Sequence, residues 1–346
     1  MTWLTAALPT FSSRTFLCGF ARRVFVGVCT SLACVPLSGF AQATPLTAAD
    51  IMGQFNAVIS NSFTSNSDVE GRLVANVLAG GATFYLPRGT AAASNFKAVN
   101  AITIGSGVRS ANVNNSGGVN YVTSNAGTFN LNGGTLAQNA PGFAMTSFTT
   151  PLDQLIVDLA AIQANSTVNA TDPNNFTFVE KPDYSGTSVF SLTTAQLSNA
   201  RNIIFSGSAT TIIVNVSGTS FNPTANFNAS TTLNQSIIWN FVDATSINLS
   251  GWHGAVLAKN ATVSNSSAME GFLYAANFNG RGELHDFSFT GWLPAGSTLS
   301  GGGAATNVPE PGSLVLLGSG LIGILLLRRP GGLAYSTVTD FARLRG

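Results

Sequence analysis

Charge is scarce in this chain: Asp, Glu, Lys and Arg make up 8% of its 346 residues, against about 25% in an ordinary soluble protein. So little Glu, Lys and Arg excludes a coiled coil or helical bundle. A net charge of +1, with no basic cluster outside the ends, excludes a nucleic-acid binder. Histidine occurs only as His253 and His285, so spacing supports no Ser-His-Asp hydrolase, and there is no Walker loop or dinucleotide fingerprint. What the chain has instead is glycine (36), phenylalanine (24), much Asn, Ser and Thr, and 45% apolar residues, which excludes bulk disorder.

Both ends read as addresses. Arg14, Arg22 and Arg23 precede an apolar stretch from Val24 to Leu37, and Ala41-Gln42-Ala43 offers the small side chains that signal peptidase accepts. Residues 1–43 are therefore expected to be a signal peptide cleaved after Ala43. Cys18, Cys29 and Cys34 all lie inside it, so the mature chain has no thiol for a disulfide, a metal or catalysis. Such an exported domain must rely on a large core.

At the other end, a flexible linker (299–308) leads to Pro309-Glu310-Pro311, the apolar run Ser313–Leu327 and Arg328-Arg329. That order resembles the PEP-CTERM sorting signal of Gram-negative bacteria that make exopolysaccharide. The resemblance implies a transmembrane helix within 309–329, held transiently in the inner membrane with its arginines inside, and an exosortase-type protease as partner. The run of 15 residues spans only about 22 Å of a ~30 Å hydrocarbon core, so hydropathy alone leaves a permanent span in doubt. The tail 330–346 departs from the pattern; it has no evident physical role and is as readily an artefact as a genuine segment.

Between the ends, residues 44–298 contain no linker and read as one all-β domain with few helices. Thr150-Pro151-Leu152-Asp153 looks like a helix start, and Leu152, Leu155, Ile156, Leu159 and Ile162 fall on one face. This gives a helix over Pro151–Ala164, with lesser candidates at Thr47–Ala57 and Thr193–Ala200. The rest is short β-prone runs, such as Thr211–Val216, Ser236–Phe241 and Gly254–Ala258, broken by Gly, Asn and Ser. Three runs form a loose repeat: Gly71 to Asn76, Gly254 to Asn260 and Gly271 to Asn277. Each has Gly, an apolar strand, a small Ala and an Asn placed at a turn, and the last two start 17 residues apart. That is close to one coil of a β-solenoid (β-helix), expected here with one flanking α-helix; a β-sandwich is the alternative.

Asp68-Val69-Glu70-Gly71-Arg72 resembles a segment of choice-of-anchor A family proteins. So, in the same order, do Trp239-Asn240, Glu270-Gly271, Gly282-Glu283-Leu284-His285 and Phe289-Thr290-Gly291. This resemblance implies an adhesive or collagen-binding-like surface domain coupled to a C-terminal anchor. Where that family often has Pro after Leu-Ala, this chain has Lys259, read as an exposed turn residue.

Glu283, His285 and Asp286 are the densest titratable cluster. With a distant carboxylate, Glu283 and His285 could hold a metal; the favoured reading is a cap on the last coil, satisfied by backbone groups, with no metal, cofactor or catalytic residue assigned. Glu70 and Glu270 are read as turn residues and His253 as a surface turn residue. Trp252 or Trp292, if exposed, could stack on sugars. Eight basic and twelve acidic side chains give the domain a net charge of −4. The sequence thus points to an exported, non-enzymatic surface or matrix protein associated with exopolysaccharide or matrix proteins. The alternatives are a polysaccharide hydrolase using paired acids, or an ice-binding protein, for which Thr210-Thr211 is only a scattered candidate.

Overall fold

The short apolar runs become the rungs of a parallel β-solenoid. In the computed structural model, residues 46–87, 96–138, 143–227 and 230–293 are described; all lie in one unit, 43–346. The expected signal peptide, linker, sorting motif, apolar run and tail lie outside the described residues. Each coil turns through three sides. Every strand pair is parallel except Thr167–Asn169 with Phe176–Val179, and this pairing excludes the β-sandwich.

The first side, called the covered side here, stacks ten strands. They run in the order Thr187–Thr193, Thr211–Ser217, Ile237–Phe241, Ala255–Asn265, Leu273–Gly280, Ala57–Ser65, Leu73–Leu78, Val99–Ile104, Val119–Asn125 and Leu136–Gln138. Coils therefore do not stack in chain order. The first coil begins in the middle, and later coils climb away from it to residue 138. The chain then crosses over and returns, so that Leu273–Gly280 packs on Ala57–Ser65. We call this contact between the first and last coils the seam.

The repeat is explained by register. Val256 pairs with Leu273, which places Gly254 and Gly271 at one corner. Both have positive φ (+98° and +145°), and a Cβ on Gly271 would sit 2.4 Å from the Gly254 carbonyl oxygen, so only glycine fits. Ala258 pairs with Ala275, which pairs with Ile59, which pairs with Ala75. Asn260 and Asn277 do not sit in turns. They lie inside continuous strands, at or beside a register irregularity (between Ala258 and Thr262, and between Ile59 and Ser62) where the strand bends from the covered side onto the next. Lys259 is likewise a half-buried strand residue at that bend, not an exposed turn residue.

Two helices, rather than one, lie against the covered side. Helix α1 (Ala48–Gln54) starts from a capping box between Thr47 and Asp50. Helix α2 (Thr146–Ala161) begins a turn earlier than its sequence pattern suggests, with Pro151 inside it. The extra turn buries Phe148 edge-on against Phe55, Phe96 and Phe143, at 5.2–5.8 Å between ring centres. Leu152, Leu155, Ile156 and Leu159 then face the sheet as expected. The Asn215 and Asn240 amides rise from the sheet to donate to the Leu159 and Ile156 carbonyls at 2.8 and 3.0 Å. Helices α3 (Thr194–Ser198) and α4 (Thr231–Asn234) are short connections. No described helix is long and apolar enough to cross a membrane.

The main core fills the coils. Trp239 and Trp252 meet there at 4.9 Å with Phe227 between them, so Trp252 is fully buried and unavailable for stacking on a sugar; Trp292 is half-buried.

Candidate functional sites: an open polar flank and an acid–histidine ladder

Among the described residues, the side that follows the bend is met by only one helix, the short α3, at its first rung, Ser220–Phe221. Its inward residues Phe221, Ile247, Val263, Phe278 and Phe63 are in register and buried. Between them, two ranks point outward. Ser220, Ser246, Thr262, Asn277 and Ser62 form one rank; Asn248, Ser264, Asn279 and Thr64 form the other. Rungs lie about 4.8 Å apart, so each rank is a line of short hydroxyl and amide groups at constant spacing. Hydrogen bonds link neighbours along the lines: Asn248 donates to Asn222 (3.0 Å), Ser264 to Asn248 (3.1 Å) and Asn277 to Thr262 (3.3 Å). Sequence reasoning missed this flank. Of the scattered candidate pair Thr210-Thr211, Thr211 is fully buried on the covered side.

The third side carries the residues that the sequence singled out. Strands Trp252–His253, Met269–Glu270, Leu284–His285 and Asp68–Val69 are adjacent and parallel there. Register places His253, Glu270, His285 and Glu70 in one outward row across the seam. Asp68, Glu70, Gly71, Glu270, Gly271, Glu283 and His285 thus gather at one place, whereas Trp239 lies in the core and Asn240 under α2.

The row is knit by side chains. His285 Nε2 lies 2.7 Å from Glu283 Oε2, and its Nδ1 lies 3.7 Å from Glu270 Oε1. His253 Nδ1 is 3.2 Å from the other Glu270 oxygen and 3.1 Å from Asn234 Oδ1, and the Asn234 amide donates to Glu270. The expected turn roles of Glu270 and His253 are therefore corrected: both are strand residues paired across a rung, and the His253 side chain is only 15% exposed. Glu70 does accept a backbone N–H, from Asp286 at 3.3 Å. Nor does the cluster cap the end of the stack; its coil is packed between Met269–Glu270 and Asp68–Val69.

Burial and neighbouring charge together shift three groups here. Burial alone would lower the His285 pKa, but the hydrogen bond to Glu283 and the charges of Glu70, Glu283 and Glu270 raise it overall. Burial lifts the Asp286 carboxyl, against the Ser288 hydroxyl bond and the Arg72 charge, while the Glu70 charge adds to the rise. Burial lowers the Arg72 guanidinium, against the attraction of Asp286. Glu70, Glu283 and His285 each offer a ligand atom, all within 4.8 Å of one another, and are the residues here that could hold a metal. The acids lie on an outward ladder rather than in a cleft. Two cavities, of about 330 Å³ beside Asp153 and Tyr274 and about 300 Å³ beside Ser166 and Gln196, do not touch them.

A family model described as "Putative Ice-binding-like adhesive domain" matches residues 48–286. The chain belongs to that family. A second model, the PEP-CTERM protein-sorting motif, matches residues 307–329 and marks the chain for export and cell-surface sorting. No curated protein matches the chain. Among solved structures, an ice binding protein from an Antarctic Biological Consortium is 16% identical, covering 72% of this chain and 93% of its own, with a TM-score of 0.33. An ice-binding protein from the Antarctic ascomycete Antarctomyces psychrotrophicus is 14% identical over 68% and 95%, with a TM-score of 0.28. One from an Arctic yeast is 11% identical over 70% and 95%, with a TM-score of 0.26. The fold rests on the strand pairing itself.

Proposed function

We propose that the chain is an exported, non-enzymatic surface adhesin of the choice-of-anchor A kind that holds a hydrated, repetitive solid against its open flank. The observation that carries this reading is the pair of in-register ranks of outward hydroxyl and amide groups, exposed or half-buried. A flat polar lattice suits multivalent contact with an extended neutral surface, where many weak hydrogen bonds add. Matrix exopolysaccharide is the favoured surface, since the sorting motif delivers the domain outside the cell. A signal peptide, a transient inner-membrane helix with Arg328 and Arg329 inside, and exosortase cleavage near Pro309-Glu310-Pro311 would take it there. The paired acids do not favour a hydrolase: Glu70, Glu270 and Glu283 lie along an outward row, and neither of the two cavities described touches them. A second reading, ice binding, is favoured by the same ranks and by the family's description.

Two experiments test this. Cell fractionation should show the wild-type chain released from the inner membrane and the Pro309-Glu310-Pro311 to alanine variant retained there; unchanged maturation would refute the sorting route. Purified protein should co-sediment with insoluble exopolysaccharide. Exclusion from the pellet, together with enrichment in a slowly growing ice front, would decide for ice.

A further inference from the structure

We propose that Glu70, Glu283 and His285 bind a divalent transition-metal ion of the Zn²⁺ type, which ties the first coil of the solenoid to the last. This site is on the third side and does not depend on the reading of the flank. Three observations carry it. First, the donors already converge: their ligand atoms lie within 4.8 Å of one another, and His285 Nε2 is 2.7 Å from Glu283 Oε2. Second, the donor types match the ion. Two carboxylate oxygens and one imidazole nitrogen suit Zn²⁺ and its first-row neighbours better than Mg²⁺ or Ca²⁺, which prefer oxygen alone. Nε2 meets Glu283, and the other ring nitrogen, Nδ1, lies 3.7 Å from Glu270, to which the Asn234 amide donates.

Third, carboxylates crowd this row. Glu270, Glu283 and Glu70 sit on three successive rungs, where Glu270 pairs with His253 and His285, and Glu283 with His285. Carboxylates on successive rungs are like charges facing one another, an arrangement that costs stability. A divalent ion neutralises two carboxylates at once. It would bridge residues separated by more than 200 positions, across the seam between the first and last coils.

The test uses the full chain without a histidine tag, purified in detergent and stripped with chelator. Titration with Zn²⁺ should show one saturable site and a melting temperature that climbs with free Zn²⁺, while Mg²⁺ changes neither. Glu70→Gln and Glu283→Gln should each weaken binding at least tenfold, and Asp172→Asn, at an exposed acid elsewhere, should leave it unchanged. Co²⁺ serves as a spectroscopic probe: visible absorption bands that appear with wild type should be lost in His285→Asn while far-ultraviolet circular dichroism is retained. Absence of saturable binding, or wild-type affinity in both glutamine variants, would overturn the proposal. Should His285→Asn fail to fold, the exposed Glu283→Gln variant decides alone.

Discussion

Strand Ala255–Asn265 crosses two sides of the solenoid, and its halves obey different rules. Before the bend, Ala255 and Leu257 point outward into the layer formed by α1 and α2; beyond it, Thr262 and Ser264 point outward into water. Strand Leu273–Gly280 does the same with Tyr274 and then Asn277 and Asn279, and strand Ala57–Ser65 with Val58 and then Ser62 and Thr64. The inward residues do not change character, being apolar on both halves: Val256, Ala258 and Val263 in the first strand, Ala57, Ile59 and Phe63 in the last. The inward pattern therefore specifies the coil, and the outward pattern records what covers it. Among the described residues the flank is kept polar and the covered side apolar, and the flank is the part of the surface proposed to bind.

The contrast can be broken most severely from the helix side. Leu155→Ala, at a fully buried position between α2 and the sheet, should cost about 2–5 kcal/mol in denaturant unfolding. Asn240→Ala removes the donor to the Ile156 carbonyl and should cost about 1–3 kcal/mol by the same measurement. Tyr274→Phe removes the 2.8 Å bond to Asp153 that pins α2 to Leu273–Gly280, and should cost about 1 kcal/mol at neutral pH. Burial first, then the Asp153 hydrogen bond and charge, push the Tyr274 phenol above its ordinary value. Its contribution is thus complete below pH ~10 and lost as the pH rises beyond, so thermal melts of wild type and variant should converge in strong alkali.

Asp183→Asn should have the smallest effect. Hydrogen bonds from the Ser185 hydroxyl and from the Thr187 and Ser185 backbone hold the carboxyl of this exposed residue below its usual range. Its contribution is present above the unfolded carboxyl's pKa and fades as the pH falls through the folded one. Solvent screening should confine the difference, read as an acid melting profile, to a few tenths of a kcal/mol.

The sequence announced what is local. Thr47 and Thr193 start helices because each has a partner three residues on, Asp50 and Gln196, that closes a capping box. Gly254 and Gly271 reveal the coil because only glycine tolerates that corner. What it concealed depends on stacking order. Nothing local says that Ala57 pairs with Leu273, so the gathering of Glu70, Glu270, Glu283 and His285 at the seam could not be read off, and Glu283 and His285 looked like a terminal cap. The flank was hidden for a related reason. Each rung supplies only one or two of its polar groups, and bonded partners are unevenly spaced, 26 positions apart for Asn222 and Asn248 but 15 for Thr262 and Asn277.

The most direct test of the open flank places bulk on it. Thr262→Tyr combined with Asn277→Tyr interrupts one rank while leaving every inward residue alone, so the melting temperature should hold and retention on insoluble exopolysaccharide should fall at least tenfold. Full retention by that folded double variant, with retention lost instead when Asn112 and Asn130 on the third side are changed to tyrosine, would contradict it.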